Sequence, residues 1–153
     1  MNESNFYQQP QETSDLGIEK TEEPKRAAIY ARTATVKKEH EHNSLAGQIN
    51  GCTEYIMKQG YLLSQDHIYE EVFTGSQYED RPAFTRLREA MKRHEIDIVI
   101  VYSLDRIARN MALVEAFIAE AESFGIKIES ALEPHLDSSF VTMFLHKSRK
   151  QEN

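Results

Sequence analysis

Four arginines stand in three short segments of this sequence, each of which follows a predicted strand. The segments are 30–35, 75–81 and 104–109, and the arginines are Arg32, Arg81, Arg106 and Arg109. A guanidinium is a planar fork of N–H donors that fits phosphate oxygens and keeps its charge at any working pH. Ion pairing with surface acids would explain any one of these arginines. Four together favour a site for a phosphate-bearing substrate.

Such a site needs a fold that brings the ends of several strands to one place. Apolar stretches at 27–31, 97–102 and 126–130 predict adjacent, parallel and buried strands, and 67–73 is a weaker candidate for another. Because the carboxyl ends of parallel strands meet at one edge of a sheet, the three arginine segments would share that edge.

Helix signals fall between the predicted strands. Ser44 and Asn110 stand where N-caps are expected, and Gly60 and Gly125 stand where those two helices would end. Pro82 opens a further helix, since proline is tolerated in a first turn. The alternation predicts an α/β fold with a mostly parallel four-stranded sheet and helices on both faces.

The chain divides into three predicted regions. Residues 1–26 carry six acidic and three basic side chains and few large apolar ones, which predicts a disordered acidic tail. Residues 27–136 form the predicted domain. Residues 137–153 predict a truncated C-terminal helix that begins at Asp137 or Ser138.

Composition excludes several classes of protein. The 153 residues include 25 acidic and 18 basic ones, so the net charge of −7 argues against a free-standing, high-affinity nucleic-acid binder but not against a locally basic face. The single cysteine, Cys52, excludes an internal disulfide framework. His40 and His42 lack further ligands at metal-binding spacing, and we expect no metal or cofactor. No apolar run is long enough for a membrane span, so a cytoplasmic location is expected.

Several short motifs then resemble one family in order and spacing. They are Tyr30-x-Arg32, Ser44-Leu45-x-x-Gln48, Gln48-x-x-x-Cys52-x-x-Tyr55 up to Gly60, Thr74-Gly75, Asp80-Arg81-Pro82, and Val101-Tyr102-x-Leu104-Asp105-Arg106-x-x-Arg109. From residue 27 to about residue 133 the chain resembles the catalytic domain of serine recombinases of the resolvase/invertase type. The large serine recombinases are the most similar subgroup.

The resemblance implies a domain that binds DNA and exchanges its strands. In that family a serine hydroxyl attacks a DNA phosphodiester, and arginines rather than a metal neutralise the developing charge. Phosphoryl transfer depends on such charge stabilisation. By position, Arg32, Arg81, Arg106 and Arg109 would grip the phosphate. Gln48 would orient it and Asp105 would hold an arginine in place. Glu70 or Glu71 would be the family's acidic residue, in a register that the sequence leaves open.

The chain departs from the family at the position of the nucleophile. Ala34 stands where the family has serine, and a methyl group cannot attack phosphorus. Thr33 and Thr35 carry hydroxyls, but neighbouring side chains of an extended segment point to opposite faces. The family's DNA-binding domain is also expected to be missing after the C-terminal helix.

These departures predict a catalytically inactive recombinase domain that regulates, or forms multimers with, a full-length recombinase. Its expected partners are DNA, bound weakly or indirectly, and a second copy or a serine recombinase, with no membrane. Two alternatives stay open. One is an active minimal recombinase that uses Thr33 or Thr35, and the other is an α/β phosphate-binding module that does not act on DNA.

Overall fold

The computed structural model of the protein describes residues 23–34, 44–72 and 81–134. The elements, in chain order, are β1 (Arg26–Thr33), α1 (Leu45–Gln59), β2 (Leu62–Val72), α2 (Pro82–Lys92), β3 (Ile98–Val101), a 3₁₀ turn (Leu104–Arg106), α3 (Met111–Ser123) and β4 (Lys127–Ser130). Strands and helices alternate, as the sequence pattern predicts.

The four strands form one parallel sheet in the order β2-β1-β3-β4. The prediction that 27–31, 97–102 and 126–130 are adjacent parallel strands is confirmed. β2 begins at Leu62, five residues before the predicted start. Its two leading leucines are followed by the polar, exposed residues 64–66, and its register against β1 shifts between Ala27 and Ile29. The polar stretch interrupts the apolar residues on either side of it, so the sequence pattern marks only the later part of the strand.

Helices cover both faces of the sheet, which confirms the predicted architecture. Along β1, Ala27 and Ile29 pack with α1 on one face, whereas Ala28 and Tyr30 pack with α2 and α3 on the other. This alternation follows from the two-residue period of a strand. It places α1 on the opposite face from α2 and α3, with the ends of β1 and β3 between them.

The predicted helix caps are in place. The Ser44 side chain accepts a hydrogen bond from the Gly47 amide at 3.0 Å, and Asn110 accepts one from the Ala112 amide at 2.8 Å. Gly60 and Gly125 have φ of 74° and 72°, a left-handed conformation that glycine adopts without a Cβ penalty. These caps determine where α1 and α3 begin and end.

The strand β1 begins one residue earlier than the predicted domain. Arg26, which the sequence pattern assigns to the tail, is the first residue of β1 and pairs with Leu62 of β2. Asp97 accepts hydrogen bonds from its amide and its guanidinium.

Several predictions concern residues outside the described ranges. These are the tail over residues 1–22, Thr35, His40, His42, Thr74, Gly75, Asp80 and the helix over 137–153. In the part of the chain that is described, no helix has the length and apolar character needed to cross a membrane.

Candidate active site

The end of β1 is held by a buried amide side chain from α1. The β1–β3 pairing ends at Tyr30 and Val101, so β3 contributes no partner to Arg32. Instead, the Arg32 amide donates to Gln48 Oε1 at 3.1 Å, and Gln48 Nε2 donates to the Arg32 carbonyl at 2.9 Å. Gln48 is fully buried. It therefore acts on the site by fixing the main chain of Arg32.

The Arg32 side chain reaches from β1 to the 3₁₀ turn after β3. Its Nε donates to the carbonyl of Arg106 and its Nη2 to the carbonyl of Asp105, both at 2.8 Å. The residue is 6% exposed. Burial lowers the pKa of Arg32, and the nearby positive charges of Arg81, Arg106 and Arg109 lower it further. Arg32, Arg81 and Arg106 are joined through the same turn, because Arg32 and Arg81 donate to carbonyls of residues 105–107.

Arg81, the residue before α2, is fixed from several sides. Its Nη2 donates to the Tyr30 hydroxyl at 2.7 Å and to the carbonyl of Ile107 at 2.6 Å. Its Nε lies 3.5 Å from Glu71 Oε2, and its guanidinium carbon lies 4.0 Å from the centre of the Phe84 ring. Aromatic faces attract such a cation, so Arg81 is oriented by both charge and stacking.

Of Glu70 and Glu71, Glu71 is the one that contacts Arg81. Glu71 is 5% exposed, whereas Glu70 is exposed on the other side of β2. The Tyr30 hydroxyl donates to Glu71 Oε2 at 2.5 Å, and the Ala83 amide donates to Oε1 at 3.1 Å. Burial is the main reason that the pKa of Tyr30 is raised. Glu71 thus ties β1 and the start of α2 to Arg81.

Arg106 and Arg109 are more exposed to solvent than Arg32. Arg106 donates from Nη1 to the Arg32 carbonyl at 3.4 Å, and its side chain is 18% exposed. Arg109 is exposed. A cavity of about 410 Å³ opens beside the turn, lined in part by Ser103, Asp105 and Arg106.

Asp105 contacts the arginines mainly through its main chain. Its carbonyl accepts from Arg32, whereas its carboxylate is 71% exposed, accepts from the Ser103 hydroxyl and lies 4.0 Å from Arg106 Nε. Asp105 was expected to hold an arginine in place, and in the structure its backbone carbonyl oxygen makes that contact. A sequence pattern cannot reveal such an atom, because every residue has one.

No side chain with a nucleophilic group stands at position 34. Ala34 is a partly exposed bend that follows β1 directly. Cys52, on the buried face of α1, is fully enclosed, and burial raises the pKa of its thiol to about 12, so it is a core residue. The arginines of the described site can attract and orient an anion.

Sequence reasoning predicted the arginines but not what orients them. Tyr30 and Phe84 both lie against the Arg81 guanidinium, and the motif that contains Tyr30 does not predict this contact. The available signal was their position: Tyr30 lies two residues before Arg32, and Phe84 lies three after Arg81. Spacing in the sequence does not show that the two rings contact each other. In the structure their centroids are 5.4 Å apart.

Comparisons with known proteins agree with this architecture. The N-terminal catalytic domain of TP901-1 integrase is 26% identical, with a TM-score of 0.70 over 84% of this chain and 100% of that chain. The C-terminal catalytic domain of ISC1926 TnpA, an IS607-like serine recombinase, is 26% identical, with a TM-score of 0.60 over 69% of this chain and 68% of that one. A resolvase family site-specific recombinase from Streptococcus pneumoniae shares the fold at 24% identity, with a TM-score of 0.67 and coverage of 83% and 87%.

Comparison with curated protein sequences gives no match. The profile of the family "Resolvase, N terminal domain" matches residues 27–146, which is most of the chain and includes all four strands except Arg26, the first residue of β1. The arginine cluster lies at the strand ends of that matched region. The protein therefore belongs to the resolvase N-terminal domain family, the catalytic domain of serine recombinases, whose chemistry is DNA recombination.

Proposed function

We propose that this recombinase domain engages DNA phosphate without cleaving it and regulates, or forms multimers with, a full-length recombinase. The observation that carries the proposal is Ala34, a methyl side chain at the bend beside Arg32, where the family resemblance places the nucleophilic serine. Covalent catalysis needs a nucleophile, and removing it removes that route entirely.

The geometry of β1 argues against Thr33 as a replacement. Arg32 follows Tyr30 by two residues, so both lie on the α2/α3 side of the sheet, whereas Thr33 lies on the α1 side. A hydroxyl on the α1 side does not share the face of the Arg32 guanidinium. This favours the non-cleaving domain over an active recombinase that uses Thr33.

The four arginines support a role that keeps phosphate affinity. They concentrate positive charge at one edge of a chain with a net charge of −7. Such a local cluster attracts a polyanion weakly and with a strong dependence on salt. Association with a full-length recombinase would supply the tethering to DNA. That part of the proposal rests on the family alone.

A covalent-adduct assay tests the catalytic part. Wild-type protein and Ala34→Ser, each fused to a DNA-binding domain of the family, are incubated with labelled supercoiled DNA and resolved by denaturing electrophoresis. We expect no protein–DNA band from wild type and a band from Ala34→Ser, because the serine restores a hydroxyl beside the arginines. Ala34→Ser combined with Arg109→Gln is the control that should lose the band.

Two results would contradict the proposal. A wild-type band that disappears with Thr33→Ala or Thr35→Ala would identify an active minimal recombinase. Failure of the unfused protein to bind DNA at low salt, together with binding of inorganic phosphate, would favour a module that does not act on DNA. A pull-down with a co-encoded serine recombinase tests the partner, and absence of binding would remove that role.

A further inference from the structure

One face of β4 is open to solvent in the described part of the chain. Ile128 and Ser130 of this strand are buried on the α2/α3 side, whereas Lys127 is exposed and Glu129 is half-buried on the α1 side. Parallel sheets are almost always covered on both faces. A further element is therefore expected beside α1, over β4.

A groove borders this open strip, between α1 and the chain that leaves β4. It has a volume of about 660 Å³ and follows residues 47–59 of α1, which is about 18 Å of helix. Its opposite wall consists of Tyr102, Ala131, Leu132 and Pro134. Leu132 is 56% exposed, so this wall presents an uncovered apolar side chain. We call this groove the α1 groove.

The chain that follows Pro134 starts at the α1 groove, because Pro134 is part of its wall. The amides of Ala131 and Leu132 donate to the main chain at the end of β3, at 2.8 Å and 2.9 Å. These bonds fix the exit from β4 beside α1. Residue 135 and those after it therefore begin next to the uncovered strip.

A helix that follows β4 would run beside α1 and in the same direction. α1 begins near the end of β1, where Gln48 contacts Arg32, and the exit from β4 lies at the same edge of the parallel sheet. From there a helix returns towards the starts of the strands, as α1, α2 and α3 do. The α2/α3 side of β4 is already covered, since Ile128 is buried there. The α1 side is the free one.

The amino-acid sequence after Pro134 has the pattern that such a helix needs. Phe140, Val141, Phe144 and Leu145 stand one turn apart in pairs, which places them on one helix face. Thr142 belongs to the opposite face. A helix over residues 137–150 would be about 20 Å long, which matches the length of the α1 groove.

Covering the strip would not leave the carboxylate of Glu129 without partners. The hydroxyls of Tyr55 and Tyr61 donate to its two oxygens at 3.2 Å and 2.7 Å. Burial of a carboxylate is costly unless it is hydrogen-bonded, and here the bonds are already made. The polar residue in the middle of the strip is thus compatible with an apolar cover.

We propose that residues 137–150 form a helix that docks in the α1 groove of the same chain. Phe140, Phe144 and Leu145 contact α1 and Leu132. The docked helix closes the open face of β4, on the side of the sheet away from α2 and α3. The proposal does not depend on DNA binding.

Tryptophan fluorescence tests the docking, because the sequence contains no tryptophan. Phe144→Trp should give a blue-shifted emission and severalfold weaker quenching by acrylamide than Thr142→Trp, whose side chain lies on the opposite face of the helix. Adding Leu132→Asp to Phe144→Trp should remove both effects. Adding Met57→Asp should not, because Met57 is 74% exposed on α1 and lies outside the groove lining.

Three results would overturn the proposal. Equal emission and quenching in Phe144→Trp and Thr142→Trp would show that the segment has no buried face. Equal effects of Leu132→Asp and Met57→Asp, with the fold intact by circular dichroism, would place the segment elsewhere. A blue shift that grows with protein concentration would mean that the groove is filled by a second copy.

Paramagnetic broadening keeps the test decisive if Leu132→Asp unfolds the domain. A spin label is attached to Glu54→Cys, in the groove, or to Glu122→Cys, on α3. Cys52 should stay unlabelled, because it is fully buried. The label at position 54 should broaden the amide signals of residues 140–145, and the label at 122 should not. Equal broadening by the two labels would refute docking in the groove. Broadening of ¹⁵N protein by a spin-labelled ¹⁴N copy would refute docking within one chain.

Discussion

At the scale of single residues, Gln48 determines how β1 continues past the end of β3. Its amide group forms the two hydrogen bonds that a neighbouring strand would otherwise supply to Arg32. A buried main-chain N–H and C=O both require partners. Gln48 thereby holds the residue from which the Arg32 side chain extends to the turn.

Gln48→Ala should therefore destabilise the protein. The substitution leaves the buried Arg32 amide without this partner, which costs about 1–3 kcal/mol. The Arg32 carbonyl still accepts from Arg106 Nη1 at 3.4 Å. Urea unfolding monitored by circular dichroism measures the loss. Gln59→Ala, on the exposed side of the same helix, is the control and should change stability by less than about 0.5 kcal/mol. Equal stabilities of the two variants would show that the Gln48 amide is dispensable.

At the scale of elements, the contact between α1 and the end of β3 depends on a glycine. A Cβ added to Gly51 would lie 2.9 Å from Cε2 and 3.0 Å from Cδ2 of the Tyr102 ring. Tyr102 directly follows β3 and precedes the turn that carries Arg106. Close approach of α1 to this ring therefore helps to place the segment that leads into the site.

Gly51→Ala should destabilise wild type but stabilise a variant that lacks the ring. In wild type the new methyl group clashes with Tyr102, and such overpacking costs about 1–3 kcal/mol. In a Tyr102→Ala background the clash is gone, and replacing glycine with alanine inside a helix gains about 1 kcal/mol. A double-mutant cycle measured by urea unfolding shows whether the effect of Gly51→Ala on the free energy of unfolding changes sign between the two backgrounds. The same effect in both backgrounds would mean that the ring moves aside freely.

At the scale of the whole molecule, the sheet is tied together at the edge opposite the arginine site. Asp97, just before β3, accepts hydrogen bonds from the Arg26 amide at 2.8 Å and from its Nε at 3.0 Å. These bonds lower the pKa of Asp97. They join the starts of the two central strands, β1 and β3.

Asp97→Asn should reduce stability at neutral pH, and the difference from wild type should shrink in acid. Because the folded pKa lies below the ordinary value of 3.8, the carboxylate contributes stability above that pH and loses it as the pH falls through the folded pKa. The effect is modest, since both side chains are more than 40% exposed and solvent screens the pair. Urea unfolding near neutral pH and below pH 3.8 measures it.

Glu89→Gln is the control for this comparison, because it removes an exposed pair between α2 and Arg93, the residue that follows this helix. It should leave stability nearly unchanged at both pH values. A difference between wild type and Asp97→Asn that stays constant with pH would contradict the assigned cause, because titration of Asp97 is then not involved.

The sequence by itself determined the local parts of this protein. Apolar runs located β1, β3 and β4, and Ser44, Gly60, Asn110 and Gly125 located the ends of α1 and α3. Such signals depend on neighbours within a few positions of the chain, so they can be read without a fold. The arginines and the alanine at position 34 were visible for the same reason, since residue type and spacing are written in the sequence.

Only the tertiary structure decided how those residues meet. Gln48 lies 16 positions from Arg32, Glu71 lies 41 from Tyr30, and the carbonyls of Asp105 and Arg106 lie 73 and 74 from Arg32. The choice of Glu71 over Glu70 depended on the register of β2 against β1, in which a shift of one residue exchanges the faces of the strand. Arg32 contacts backbone oxygens of the turn. Because every residue carries such an oxygen, the sequence does not show which ones accept from the arginine. The sheet decides this by bringing the ends of β1 and β3 together.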